Sequence, residues 1–147
     1  MLLTSLVVIV LAIFLLEATI DYLNQSRAGA PLPSEVADLY DITERENSLA
    51  YGAAKYQVGL FSGALSTAVL ILALTQGWLA NIDSWVRSMS GNAIAISLIF
   101  FAIVGVISWL IDLPFGLYSI FSIEERFGFN KVTIKTYITD QIKGALV

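Results

Sequence analysis

Two carboxylates four residues apart, Glu17 and Asp21, close an apolar run that begins at Leu2. Residues at i and i+4 share a helix face, so both acids turn the same way, toward water or a partner. They could form the polar wall of an aqueous cavity. The preferred reading sets them at the cytoplasmic membrane interface, because they follow the apolar run rather than interrupt it. Asp112, just before Pro114, has the same two readings and the same preference. The densest charge cluster outside the first loop is Glu124-Glu125-Arg126. Adjacent helical residues point about 100° apart, a poor arrangement for a shared metal ion or for a general acid and base pair. One of these carboxylates is expected to face solvent and the other to meet a basic partner elsewhere in the protein.

The rest of the usual catalytic inventory is absent. The 147 residues include no histidine and no cysteine, which excludes imidazole chemistry, thiol nucleophiles, thiolate metal sites and disulfides within the chain. No catalytic residue and no metal ligand is therefore assigned. A formal charge of −4 with only eight Lys and Arg gives no clustered basic face for nucleic acid. The composition is 57% hydrophobic and 14% charged with a mean hydropathy of +0.78, which lies outside the globular mix and inside the membrane class.

Three stretches are long and apolar enough to cross a hydrocarbon core of about 30 Å: residues 2–23, 58–80 and 93–111. Backbone groups in lipid must be paired within the segment, so each stretch is expected to be a helix. The fold class is all-α, a polytopic bundle of three spans plus the start of a fourth, with cytoplasmic and interfacial amphipathic helices. Ala28-Gly29-Ala30 resembles a signal-peptidase site, but no basic residue precedes Leu2 and two acids follow the apolar run, so a retained helix is expected. Trp78, Trp85 and Trp109 fall near the ends of spans two and three, as an interfacial belt places them.

Basic residues set the orientation. Arg27, Arg45 and Lys55 lie in the first connection, Arg87 alone in the second, and Arg126, Lys131, Lys135 and Lys143 after span three. The positive-inside rule then puts the first connection and the tail in the cytoplasm and the N-terminus outside. In the first connection Pro31 and Pro33 precede a helix start at Ser34 and Glu35, and Thr43-x-x-Glu46 reads as a capping box opening a helix that runs on into span two. Gly59-x-x-x-Gly63, with Ser62 and Ser66 nearby, is a candidate face for close helix packing. Pro114 and Gly116 are expected to bend the chain, and Gly128 to end the helical stretch from Ser119 to Arg126. Ile134, Tyr137, Ile138 and Ile142 recur at helical spacing opposite Lys135 and Asp140, the pattern of a helix lying at the membrane surface. Gly144 to Val147 reads as the opening of a fourth span.

The run Phe121-Ser122-Ile123-Glu124-Glu125-Arg126-Phe127-Gly128-Phe129-Asn130-Lys131-Val132-Thr133 resembles the F-x-I-E-E-[KR]-[FH]-G-F-N-x-x-T stretch of type I CAAX prenyl proteases. Asp140, Ile142 and Lys143 continue the likeness to the D-x-I-K that precedes the family's next membrane helix. Pro33 and Glu35, then Ser48, Tyr51 and Lys55 leading to Phe61-Ser62-Gly63, are similar to the family's S-x-x-Y-x-x-x-K approach to its second helix. The resemblance covers nearly the whole chain in order.

That resemblance implies the N-terminal membrane region, residues 1–147, of a zinc metalloendopeptidase that cuts prenylated CAAX or membrane-protein substrates in a water-filled chamber. The family holds zinc through an H-E-x-x-H helix and a later Glu, which are expected beyond Val147, so this region would bind no zinc itself. Its expected partners are the lipid bilayer, the missing C-terminal catalytic region and, in the intact enzyme, a peptide or protein substrate. The motif-bearing segment 114–143 would be cytoplasmic, with Ile123, Glu124, Glu125, Arg126, Gly128, Phe129 and Asn130 docking against the catalytic half; the cavity-wall reading of Glu17 and Asp21 would have them face the chamber. A bacterial inner membrane is preferred to the endoplasmic reticulum. The alternative is a small non-enzymatic membrane scaffold. A transporter fragment is disfavoured, since no Gly-rich broken helix interrupts the spans.

Overall fold

The computed structural model describes residues 1–31 and 41–146, and every regular element among them is helical. Helix α1 covers Leu2–Ala28, α2 Ile42–Thr75, α3 Trp78–Met89, α4 Ala93–Tyr118 and α5 Ile134–Leu146. A π-helical turn, Ser119–Glu124, extends α4. Helices α1, α2 and α4 with its turn are each long and apolar enough to cross a membrane.

Each helix begins and ends for a local reason. The Asp41 carboxylate accepts the Thr43 amide at 2.7 Å and the Glu44 amide at 3.2 Å, which satisfies two of the orphan donors that open α2. The cap is therefore Asp41, and Thr43, expected as the capping residue, already lies inside the helix. The helix start expected at Ser34 and Glu35 falls outside the described residues. From Ile42 the helix runs without interruption into the second span. It stops at Thr75 and not at Ala80, because Gly77 adopts a left-handed φ of 73° and turns the chain into α3. The twelve residues of α3 form an amphipathic helix where a plain connection carrying Arg87 was expected. Its Val86 is fully buried, and on its exposed side Arg87 Nε donates to Asp83 at 2.7 Å.

Asn92 opens α4 by accepting the Ile94 and Ala95 amides at 2.9 and 3.2 Å. Pro114 sits inside this helix, which continues to Tyr118, so the third span is longer than 93–111 and the expected bend at Pro114 and Gly116 does not end it.

Helix α2 is the central element, and α1, α3, α4 and the π turn all meet it. A Cβ placed on Gly63 would lie 3.5 Å from Phe14, and one on Gly52 would lie 3.9 Å from Gln25, so α1 and α2 run antiparallel. At Gly59 a Cβ would meet nothing within 4 Å. Only Gly63 of the Gly59-x-x-x-Gly63 pair therefore lies against a neighbouring helix. Helix α5 doubles back along α4: Trp109 Nε1 donates to Gln141 Oε1 at 3.2 Å, and the Phe121 and Tyr137 rings meet edge to face at 6.1 Å. The bare backbone of Gly116 leaves room for the Tyr137 hydroxyl, which would lie 2.9 Å from a Cβ there. This helix, expected to lie at the membrane surface, is tied to α4 and its π turn through Tyr137 and Gln141, while Ile134, Ile138 and Ile142 stay exposed. Gly144 to Leu146, expected to open a fourth span, continue this same helix.

Candidate functional site

Tyr51 and Lys55 stand one turn apart on α2 and meet the π turn that follows α4. Lys55 Nζ donates to Ser119 Oγ at 2.6 Å and to Glu124 Oε1 at 2.9 Å. Positions five apart on an α-helix are about 140° apart around the axis. The wider π turn, closed by i to i+5 bonds such as Glu125 N–H to Ile120 O, brings Ser119 and Glu124 closer to one face, so that a single ammonium reaches both. Ile123 inside the turn is buried at 4% exposure and anchors it.

The residues after the turn form a left-handed C-cap. Gly128 has φ +75°, its N–H donates to Glu125 O at 3.1 Å, and the Phe129 N–H donates to Glu124 O at 2.8 Å. These are the two bonds of a Schellman motif, and they require a residue without Cβ strain at Gly128. The Asn130 N–H adds a third donor to Glu124 O at 3.1 Å. Asn130 then locks the exit, since its Nδ2 donates to Glu125 Oε2 at 2.9 Å and its Oδ1 accepts the Val132 amide at 2.8 Å. Phe127 and Phe129 both pack edge to face on Tyr51, at 5.6 and 5.0 Å between ring centroids. Lys55 Nζ stands 5.7 Å from the centroid of the same Tyr51 ring.

Lys55 and Tyr51 thus bind the loop-one stretch to the F-x-I-E-E-R-F-G-F-N stretch. Glu124 takes a basic partner and Glu125 takes Asn130, so the adjacent acids have separate duties. Arg126 stacks on Phe127 at 5.6 Å and, with Gln57 and Ser122, lines a small cleft of 150 Å³. Paired with Glu124, the Lys55 ammonium donates to the Ser119 hydroxyl and does not serve it as a base, so the arrangement holds and orients. Ser119 carried no sequence signal, because regular helical spacing separates it from Glu124.

The remaining sequence candidates lie elsewhere. Glu17 and Asp21 are exposed on α1 and have no hydrogen-bond or ion-pair partner among the described residues. Asp112 is exposed and accepts Ser66 Oγ at 3.1 Å and Ser62 Oγ at 3.4 Å across the α2 and α4 contact. Sequence reading assigned those two serines to helix packing and missed the carboxylate they meet. No three acidic residues converge on a metal position among the described residues.

Comparison with known proteins agrees with the motif geometry. Residues 20–147 match the family described as CAAX prenyl protease N-terminal, five membrane helices. CAAX prenyl protease 1 of Saccharomyces cerevisiae is 31% identical over 144 residues, covering 90% of this chain and 32% of the relative. The CAAX prenyl protease 1 homolog of Oryza sativa subsp. japonica is 33% identical over 146 residues, covering 91% and 33%. The crystal structure of S. mikatae Ste24p superposes with a TM-score of 0.79 at 30% identity, covering 94% of this chain and 34% of that one. The chain spans about a third of the length of the curated relatives it matches. It is an integral, multi-pass membrane protein, and it belongs to the CAAX prenyl protease N-terminal family.

Proposed function

We propose that this chain is the N-terminal membrane part of a zinc metalloendopeptidase that processes C-terminal CAAX-type or membrane-protein substrates. The observation that carries the reading is the Lys55 clamp. It fastens to one another the two stretches that resemble the protease family, through Ser119 and Glu124, and leaves a preformed surface beside them. Helices α1, α2 and α4 form chamber wall, with Glu17 and Asp21 on its wet side, and the Ile123 to Asn130 stretch docks against the catalytic region. Zinc and its ligands, with the water-activating base, belong to that region. The N-terminus lies outside and the clamp lies on the cytoplasmic side, an orientation that the distribution of Lys and Arg supports.

A chimera tests this. The corresponding N-terminal third of the Saccharomyces cerevisiae relative is replaced by this chain, and cleavage of a prenylated CAAX peptide is measured in membranes. Retained cleavage is expected. A chimera that reaches the membrane at normal abundance, resists mild proteolysis and cleaves nothing would reject the reading and favour a non-enzymatic scaffold.

A further inference from the structure

Between α2, α3 and α4 lies a cavity of about 380 Å³, lined by Leu70, Ala73, Leu79, Ile82, Ile107 and Ile111 among others, with Asp112 as its only ionisable residue among the described residues. Its size falls in the range of small-molecule sites. Ser66, which also lines it, is eleven residues beyond Lys55 along α2, about 16 Å along the helix at 1.5 Å per residue. Asp112 is exposed on α4, and an ionisable group within a helix long and apolar enough to cross a membrane is a functional-site candidate by default.

Neutralisation within the chain is incomplete. Both hydroxyl donors, Ser66 at 3.1 Å and Ser62 at 3.4 Å, reach the same oxygen, Oδ1, and both stand farther off than the ~2.8 Å usual for O–H···O bonds. Oδ2 has no partner among the described residues, and neither Lys nor Arg lines the cavity. The site therefore has capacity for a stronger, charged donor attached to an apolar body.

We propose that this cavity binds a single-chain aliphatic amine, its ammonium on Asp112 and its hydrocarbon tail among the α2, α3 and α4 side chains. The assignment rests on charge complementarity and does not depend on proteolysis.

Trp78 lines the cavity and reports its occupancy. The chain carrying Trp85→Phe and Trp109→Phe is placed in phosphatidylcholine nanodiscs and titrated with 12-bromododecylamine or with 12-bromododecanol, which has the same tail and no charge. Saturable quenching of Trp78 by the amine is expected, with a midpoint about tenfold lower than for the alcohol and about tenfold raised by Asp112→Asn. Equal midpoints for amine and alcohol, or no effect of Asp112→Asn, would overturn the assignment. If Asp112→Asn does not fold, Val104→Phe decides, because it fills the cavity and leaves the carboxylate. Loss of saturable quenching supports the site, and quenching that persists unchanged rejects it.

Discussion

The ammonium of Lys55 lies 2.9 Å from Glu124 Oε1, so a single ion pair joins positions separated by 69 residues. It joins the N-terminal half of α2 to the exit of α4. A junction of this kind fixes position more than it adds stability, because each partner retains some access to water: the side chains are 38% and 24% exposed.

A double-mutant cycle should measure that junction. Lys55→Met and Glu124→Gln are each expected to destabilise the folded chain, with a coupling of about 1 kcal/mol. That value lies between an exposed ion pair and a charged hydrogen bond shielded from water. Ser119→Ala should cost less than either, since Lys55 keeps Glu124. Additive effects in thermal unfolding would show that the two charges do not act as a unit.

Gly128→Ala should destabilise by about 1 to 2 kcal/mol, the cost of a left-handed φ for a residue with a Cβ. Gly128→Asn should cost less, because Asn tolerates that region. The same change at Gly91, which has neither a positive φ nor a neighbour within 4 Å of an added Cβ, is the control. Equal melting temperatures for the Gly128 and Gly91 alanine variants would remove the capping account.

The three spans, the all-helical class and the end of the motif helix at Gly128 were legible because apolar runs, caps and glycine act over a few neighbouring residues. Element boundaries were less so. Hydropathy cannot see that Gly77 breaks a run whose apolar character continues through Trp78 and Leu79, and it hid α3. Partners were the least legible. Glu124 asked for a cation, but only the three-dimensional arrangement selects Lys55, and the π turn that adds Ser119 violates the spacing on which sequence reading relies. Asp112 was assigned to the interface because it ends the apolar core of its run, while the serines that receive it sit on a helix 46 and 50 residues earlier.

The N-terminus of α2 should be sensitive to acid. Two backbone amides hold the Asp41 carboxyl below its ordinary value, the Glu44 bond contributing most. A group whose folded pKa is depressed contributes stability that is present above its unfolded pKa and is lost as pH falls through the folded one. The protection of the Thr43 and Glu44 amides, taken as the exchange rate relative to the intrinsic rate at the same pH, should therefore fall once pH drops below the ordinary Asp range, and Asp41→Asn should flatten that dependence while preserving the cap. Protection that stays constant from neutral to strongly acid conditions would contradict this.

The two glycines of α2 should respond differently to added volume. An alanine at Gly63 would touch Phe14 at an ordinary 3.5 Å, so Gly63→Ala should be tolerated, whereas Gly63→Leu must push into the Phe14 ring and displace α1. At Gly59 nothing stands within 4 Å of a Cβ, so Gly59→Leu should leave the α1 and α2 packing intact, and Gly59→Ala should gain a little from higher helix propensity. Disulfide trapping between cysteines introduced at Gln25, whose Oε1 lies 3.9 Å from a Cβ placed on Gly52, and at Gly52 itself reports on the same contact. Efficient trapping in the Gly59→Leu background together with loss of trapping in Gly63→Leu is expected. The reverse order would place the α1 contact on Gly59, which no antiparallel pairing through Phe14 and Gly63 accommodates.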